Sequence, residues 1–279
     1  MIMALVSAVA VPIVMIIIRN YLISEVGKAA EQAGFYAFLS WDHYMLPDGP
    51  ETLDAWSVLG YLAGQTASIK LGTVVTPIPF RPPSQLAKIV ASVDHLSGGR
   101  TILGVGAGWH QPEFDGFSSW GSPGQRVART EEALDLITRL WTGDKVSFES
   151  NNYKSDGAVI SPAPTQNPHP PMWFGVRGTR MLRLAARYAD AWIPTNISPD
   201  VYAEGLKQLR EKRSELGINS PLKGALQNFD VFTEAEPCIE TINSYAEAGC
   251  EYYGSIWSYP PEEMVSRIGW FAEEVMPNV

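Results

Sequence analysis

The stretch Leu103–Phe114, LGVGAGWHQPEF, runs from a short apolar strand into alternating glycines and then into Trp, His and a carboxylate. A dinucleotide-binding turn has the pattern G-x-G-x-x-G at the first strand-to-helix junction, with an acidic residue about twenty positions further on. Here the pattern is G-x-G-x-G, it follows the fourth predicted strand, and Trp and Pro come next instead of a helix. We therefore exclude a dinucleotide-binding turn and expect Gly104, Gly106 and Gly108 to let a flat ring system approach the backbone.

Predicted strands and helices alternate along most of the chain, with about eight of each in 279 residues. Strict alternation requires parallel strands joined by right-handed crossovers, which both an eightfold barrel and a doubly wound sheet satisfy. The element count, and polar or glycine-rich residues at the ends of several strands, favour a (β/α)8 TIM barrel. We predict one domain over residues 1–279, with an insertion of loops or a short hairpin around residues 143–171.

Charge and cysteine content narrow the class of partner. The formal net charge is −9 and the pI is about 5.0, which argues against a nucleic-acid partner, because affinity for phosphate backbones comes from clustered Lys and Arg. Cys238 and Cys250 have neither CxxC nor Cys/His spacing, so we expect no disulfide framework, no metal site and a reducing, cytoplasmic location. A small-molecule substrate is the expected partner.

The N-terminal segment MIMALVSAVAVPIVMIII, residues 1–18, is uncharged and apolar over a length at which a membrane helix has to be considered. Pro12, the many β-branched residues and the absence of Lys or Arg before the run favour a buried first strand with an apolar lead-in. We therefore expect no membrane partner. A membrane or signal segment and a misassigned start stay open as alternatives.

Two strand ends carry residues suited to chemistry, since the reactive groups of a barrel come from the carboxyl ends of its strands. Asp42 and His43 follow the second predicted strand, where a carboxylate can bind a polar edge of a cofactor and a His can transfer a proton near neutral pH. Val74 and Val75 end the third strand before a run of prolines, which indicates unusual backbone geometry such as a bulge.

Two further strand ends complete the candidate site. Trp109, His110 and Glu113 are expected to rim the glycine surface after the fourth strand. The turn Gly175–Gly178 leads from a strand into a helix, and its backbone N–H groups, the helix dipole and Arg177 together suit a phosphate, although a simple helix-capping turn is the alternative. The sequence holds no carboxylate-rich metal site, G-x-S-x-G elbow or P-loop.

Four stretches together resemble a known family: SWDHYMLP at 40–47, LGTVVTPIPFRPPSQLAKIVASVDHLSGGRTILGVGAGW at 71–109, EEALDLITRLWTG at 131–143 and RLAARYADAW at 183–192. They are similar to the luciferase-like monooxygenase superfamily and, within it, to the deazaflavin (coenzyme F420)-dependent oxidoreductases that include methylene-tetrahydromethanopterin reductase. Trp109 stands where the glucose-6-phosphate dehydrogenase branch carries a Glu, which disfavours that branch.

The resemblance implies a TIM barrel with the tricyclic cofactor ring across its mouth, backed by a non-prolyl cis peptide at Val74-Val75, and with the phosphate at Gly175–Thr179. It implies hydride transfer between F420 and an organic substrate, with His43 or Glu113 as proton donor, and a homodimer. The residues so assigned to the cofactor are Asp42, Val74, Val75, Gly106, Ala107, Gly108, Trp109, Gly175, Val176, Arg177, Gly178 and Thr179. Two alternatives are a reduced-FMN-dependent two-component monooxygenase and a non-catalytic flavin-binding barrel.

Overall fold

The computed structural model describes residues 8–11, 20–46, 52–256 and 261–279. Within those ranges the strands are β1 (Ala8–Val11), β2 (Ala37–Ser40), β3 (Lys70–Thr73), β4 (Thr76–Pro77), β5 (Thr101–Gly106), β6 (Val146–Glu149), β7 (Lys154–Ala158), β8 (Met172–Phe174), β9 (Ala191–Trp192), β10 (Lys223–Asn228) and β11 (Tyr252–Ile256). The α-helices are α1 (Asn20–Gln32), α2 (Ala55–Ala63), α3 (Pro83–Ser97), α4 (Gln111–Phe117), α5 (Pro123–Leu140), α6 (Thr179–Tyr188), α7 (Pro199–Glu215), α8 (Ala235–Glu247) and α9 (Met264–Trp270).

The main sheet is parallel and curled, which confirms the predicted α/β fold class. Its order is β3-β2-β1-β11-β10-β9-β8-β5-β4, with an additional pairing between β3 and β5. Its strand pairs are parallel. Because parallel strands share one direction, their carboxyl ends lie along one edge of the sheet.

Residues 143–171 form the predicted insertion, and a hairpin lies within it. Strands β6 and β7 pair antiparallel in a separate two-stranded sheet. The end of the insertion is tied to α3 by Asp94, a fully buried carboxylate that accepts hydrogen bonds from the backbone N–H groups of Thr165, at 2.7 Å, and Gln166, at 3.1 Å. The insertion therefore packs on the outside of the fold without interrupting the main sheet.

Both faces of the sheet are buried, as expected for parallel strands covered by helices. Along β2, Phe38 belongs to a large core cluster that includes apolar residues of the helices, whereas Ala37 and Leu39 belong to a smaller cluster on the other face, with Trp173 and Tyr252. This alternation follows from the two-residue period of a strand.

Helix α4 was not predicted, because Trp and Pro were interpreted as ending regular structure after the glycines. In the structure α4 begins at Gln111 and Pro112 occupies its first turn. A proline is well tolerated there, since the first N–H groups of a helix have no intrahelical partner. The C-terminal helical region is irregular: a 3-10 turn precedes α9 and a π-helical segment, Phe271–Val275, follows it.

Part of the apolar N-terminal run is a strand, as predicted. Residues 8–11 form β1, which pairs with β2 and β11. The rest of the run, 1–7 and 12–18, lies outside the described residues. No helix in the described part of the chain is long and apolar enough to cross a bilayer.

Candidate active site

A cavity of about 550 Å³ opens where the parallel strands end, and its size is typical of small-molecule sites. The lining residues are Trp41, His43, Leu46, Val74, Val75, Pro77, Gly106, Ala107, Gly108, Trp109, Glu113, Gly175, Val176, Arg177, Gly178, Met181, Thr195, Gln227 and Phe229. The fold thus brings the predicted site residues to one cavity, with the exceptions of Asp42, His110 and Thr179.

His43 and Glu113 form a hydrogen-bonded pair in the cavity wall. His43 lies in the loop after β2 and Glu113 in the first turn of α4, with His43 Nδ1 and Glu113 Oε2 3.0 Å apart. The Glu113 side chain is 1% exposed and that of His43 is 14% exposed. Because Nδ1 is engaged by the carboxylate, Nε2 is the His43 nitrogen left for a molecule in the cavity.

The environment of Glu113 keeps its carboxylate charged. Its Oε1 atom accepts hydrogen bonds from the backbone N–H groups of Tyr44 and Met45. Burial acts to raise the pKa of Glu113, but the hydrogen bonds from His43, Tyr44 and Met45 outweigh burial and hold the pKa below the usual value of a glutamate. In this structure Glu113 therefore acts as a hydrogen-bond acceptor that fixes the position of His43 Nδ1.

Val74 and Val75 form the cavity floor and are joined by a cis peptide bond, which confirms the predicted non-prolyl cis peptide. The Val75 side chain fits between two neighbouring strands. A Cβ atom at Gly106 would lie 2.6 Å from Val75 Cγ2, and one at Gly175 would lie 2.7 Å from Val75 Cγ1. Real Cβ atoms do not approach so closely, so both positions require glycine while Val75 occupies this place.

Packing within the protein gives a reason for the alternating glycines, beside the expected approach of a flat ring, which stays a prediction. A Cβ at Gly104 would lie 1.9 Å from the Thr73 carbonyl oxygen, and Gly106 makes room for Val75. Gly108 has a φ of +84°, and a Cβ there would lie 2.5 Å from the Phe114 ring. Contacts with neighbouring protein atoms therefore exclude a side chain at these three positions. Gly106 and Gly108 also line the cavity.

The turn Gly175–Gly178 joins β8 to α6, and its last residue, Gly178, is exposed. Gly178 is the N-cap of α6, and no side chain caps the helix. A Cβ at Gly178 would meet no atom within 4 Å, so protein packing does not require glycine at this position. The N–H groups of the helix start and the exposed Arg177 favour an anion here. Thr179, the first residue of α6, is exposed and is not among the residues that line the cavity, so its contact with a phosphate stays a prediction.

Asp42 lies behind the cavity wall, so its predicted contact with the cofactor is corrected. It is fully buried, and its two oxygens each accept a hydrogen bond from Arg81 at 2.6 Å. Arg81 also donates to Asp54, the N-cap residue of α2. Burial acts to lower the pKa of Arg81, but Asp42 outweighs it and raises that pKa. Asp42 therefore anchors the loop that carries His43 and is not free to bind a ligand.

Four lining residues at or near the ends of β2, β9 and β10 were not predicted. Gln227 is 5% exposed, its Oε1 accepts a hydrogen bond from Thr195 Oγ1 at 3.2 Å, and its Nε2 has no partner in the part of the chain that the structure describes. Trp41 and Phe229 meet edge to face with centroids 6.2 Å apart. For Trp41 and Thr195 the available signal was their place at the ends of predicted strands, whereas Gln227 and Phe229 fell inside a strand predicted over 224–233.

Two curated relatives align with large parts of the chain. A phthiodiolone/phenolphthiodiolone dimycocerosates ketoreductase of Mycobacterium tuberculosis is 36% identical over 168 residues, which are 59% of this chain and 43% of that protein. The chain thus matches less than half the length of this relative. An F420-dependent glucose-6-phosphate dehydrogenase of Nakamurella multipartita is 33% identical over 246 residues, 86% of this chain and 70% of that protein.

Solved structures share the fold. An F420-dependent secondary alcohol dehydrogenase in complex with an F420-acetone adduct superposes with a TM-score of 0.83 at 21% identity, covering 97% of this chain and 98% of that one. A type II Baeyer-Villiger monooxygenase of Pseudomonas putida in complex with FMN gives 0.82 at 15% identity, covering 99% of each chain.

A family profile described as luciferase-like monooxygenase matches residues 22–254, which include the whole cavity lining. The curated relatives are named as a reductase and a dehydrogenase, and both activities are oxidoreductions. The chain belongs to the luciferase-like monooxygenase family.

Proposed function

We propose that this protein is a coenzyme F420-dependent oxidoreductase that transfers a hydride between the deazaflavin and a small organic substrate. The observation that carries the proposal is that His43, a group able to transfer a proton, and the anion-favouring turn Gly175–Gly178 line one cavity with an apolar floor. The relative that is 33% identical over 86% of the chain is named for F420 and supports the choice of cofactor.

The residues present fit such a cofactor. Gly178 offers backbone N–H groups at a helix start with open space where a side chain would stand, and Arg177 adds a positive charge. These residues would hold the phosphate. Val74 and Val75 present an apolar floor on which a flat ring can lie, and Trp109, which is 63% exposed, stands at the rim.

His43 is the residue that moves the proton. When bound, the reduced deazaflavin supplies a hydride to a carbonyl carbon, and its oxidised form accepts one from an alcohol carbon. The carbonyl oxygen gains a proton from His43 Nε2 in the first direction, and the alcohol loses one to Nε2 in the second. Glu113 holds Nδ1 at 3.0 Å, so the ring keeps one orientation and Nε2 stays toward the cavity. The apolar lining limits water at the reacting atoms.

We also infer that the curled sheet is a (β/α)8 barrel forming a single domain over residues 1–279. The parallel pairs support this, because they lead from β1 through β2, β3, β5, β8, β9, β10 and β11 back to β1. This arrangement places the residues of the cavity on different strands around one mouth.

The test is a spectral titration of the purified protein with F420 and, separately, with FMN. We expect micromolar or tighter binding of F420. The His43→Ala variant should keep that affinity while its turnover falls by about two powers of ten. His95→Ala is the matched control, because His95 is exposed on α3 and does not line the cavity. Unchanged turnover in His43→Ala would remove His43 from the mechanism.

A reduced-FMN-dependent monooxygenase is the second candidate, favoured by the shared fold of the FMN-bound Baeyer-Villiger enzyme. Micromolar binding of FMN together with no binding of F420 would support this candidate and overturn the first. The non-catalytic alternative is not retained, since the relatives are named for catalytic activities.

A further inference from the structure

The cavity has two sectors, and they differ in chemistry. Residues that the proposed function gives to the cofactor follow β3, β5 and β8: the floor Val74–Val75, the segment Gly106–Trp109 and the turn Gly175–Gly178. The sector formed by β2, β9 and β10 is left for the substrate. In the described part of that sector the lining residues are Trp41, His43, Leu46, Thr195, Gln227 and Phe229.

The described substrate sector presents no Lys, Arg, Asp or Glu side chain to the cavity, and its one titratable group is His43. Among the described lining residues the cation is Arg177, which belongs to the cofactor sector, and the Glu113 carboxylate is engaged by His43 and two backbone N–H groups. A charged substrate would lose its hydration in this sector and gain no ion pair with its described residues in return. The aromatic pair Trp41 and Phe229 offers apolar area instead.

Gln227 adds one specific polar contact to this sector. It is 5% exposed and lines the cavity. Thr195 donates to its Oε1 at 3.2 Å and so fixes the amide, while Nε2 is buried with no partner among the described residues. An unpaired buried N–H group is costly, and a hydrogen-bond acceptor on a bound molecule would satisfy it.

We propose that the substrate is an uncharged carbonyl compound or alcohol with an apolar body that packs on Trp41 and Phe229, and that Gln227 Nε2 donates a hydrogen bond to an acceptor oxygen of that substrate. This inference rests on the proposed function, because the sector of β2, β9 and β10 is left for the substrate only if the sector of β3, β5 and β8 holds the cofactor. It adds a substrate class and a binding residue that recognises it.

The experiment measures equilibrium binding to the protein saturated with oxidised F420, where a ketone cannot react. Three probes of similar size are used. Acetophenone has the acceptor oxygen, α-methylstyrene replaces that oxygen with CH2, and benzoate carries a charge. In the parent protein we expect α-methylstyrene to bind about tenfold more weakly than acetophenone, since one hydrogen bond to a buried donor is lost. Benzoate should bind at least tenfold more weakly than acetophenone.

Gln227→Leu should abolish the difference between acetophenone and α-methylstyrene and leave the affinity for α-methylstyrene equal or higher. Gln208→Leu is the matched control, since Gln208 is exposed on α7 and bonds only to Glu204. Thr195→Val keeps the amide but removes the hydroxyl that fixes it, and we expect a partial loss of the difference. It serves as the test if Gln227→Leu does not fold.

Four results would each overturn this inference. They are equal binding of acetophenone and α-methylstyrene to the parent protein, tighter binding of benzoate than of acetophenone, no binding of either uncharged probe, and a difference between acetophenone and α-methylstyrene that survives both substitutions. F420 affinity is measured first and separately. Its absence would contradict the proposed function, whereas normal F420 affinity with any of those four results contradicts the substrate class alone.

Discussion

Replacing Glu113 with Gln tests the orientation of His43 with the smallest change in shape. The carboxylate accepts from His43 Nδ1 at 3.0 Å through Oε2 and from the N–H groups of Tyr44 and Met45 through Oε1. The amide of Gln has only one oxygen. If this oxygen stays with the two N–H groups, an NH2 group faces His43, which must then accept at Nδ1 and carry its proton on Nε2.

The size of the effect follows from the contacts that change. For alcohol oxidation Nε2 must accept a proton, so the variant has to break its new hydrogen bond, worth about 1 kcal/mol, to recover the productive tautomer. The imidazolium that forms also loses a charged partner, worth about 1.5–3 kcal/mol. The sum is about 3 kcal/mol, which lowers kcat by about 100-fold at 1.36 kcal/mol per power of ten. A protein with about 5–15 kcal/mol of stability should still fold.

The assay combines kcat for alcohol oxidation, F420 affinity and the 15N chemical shifts of the His43 ring, which report the tautomer. We expect lower kcat, unchanged F420 affinity and a proton moved to Nε2. Asp115→Asn is the control, because Asp115 is exposed on the same helix and bonds only to Gln111, at 3.2 Å. Since the pKa of Glu113 lies below the usual value, its carboxylate stays charged as the pH falls, and the difference from the variant should persist from pH 8 down to about 5. Parental kcat in Glu113→Gln, or an unchanged tautomer, would refute the reasoning.

Three further predictions address the cofactor site and the fold. Gly178→Val should weaken F420 binding by about tenfold or more without moving the thermal midpoint, because a Cβ there meets no protein atom within 4 Å; normal affinity would refute the phosphate placement. Burial acts to raise the pKa of Glu31, but N–H groups of residues 67–69 outweigh it and lower the pKa to about 2. Since a lowered pKa stabilises the fold only while the group is charged, Glu31→Gln should cost about 1 kcal/mol in urea unfolding at pH 7, discounted for exposure, and the cost should vanish as the pH falls towards 2. Gly104→Ala should destabilise the protein by about 3 kcal/mol or more, since its Cβ would lie 1.9 Å from the Thr73 oxygen, and parental stability in calorimetry would contradict that contact.

The sequence predicted the fold class well because each element carries its own local signal. The helix expected after the turn Gly175–Gly178 is α6, which begins at Thr179. The insertion at 143–171 stood out by composition, and the hairpin β6–β7 lies inside it. Helix α4 was missed because it follows a glycine-rich strand end directly and has only seven residues, too short for a helical period to show.

The candidate site was predicted in its positions but not in its contacts. His43 and Gly178 were predicted correctly to line the site because they follow the carboxyl ends of strands. In a parallel sheet the topology alone brings those ends to one edge. Asp42 was misplaced because its buried partner, Arg81, lies 39 positions further along the chain. The ionic contact that turns Asp42 away from the cavity therefore depends on tertiary packing. Gln227 was missed for a similar reason, because only the folded structure shows that its buried Nε2 has no partner among the described residues.

The place of Val75 between Gly106 and Gly175 links three strands through steric exclusion. An alanine at either glycine needs a smaller residue at position 75, because its Cβ would lie less than 3 Å from a Val75 methyl carbon. Positions 75, 106 and 175 are therefore energetically coupled. We expect Gly106→Ala and Val75→Ala each to be harmful alone, and Val75→Ala to rescue Gly106→Ala in the double variant. Val75 also forms part of the cavity floor. A change in the depth of the cavity at this point therefore requires paired replacements on neighbouring strands.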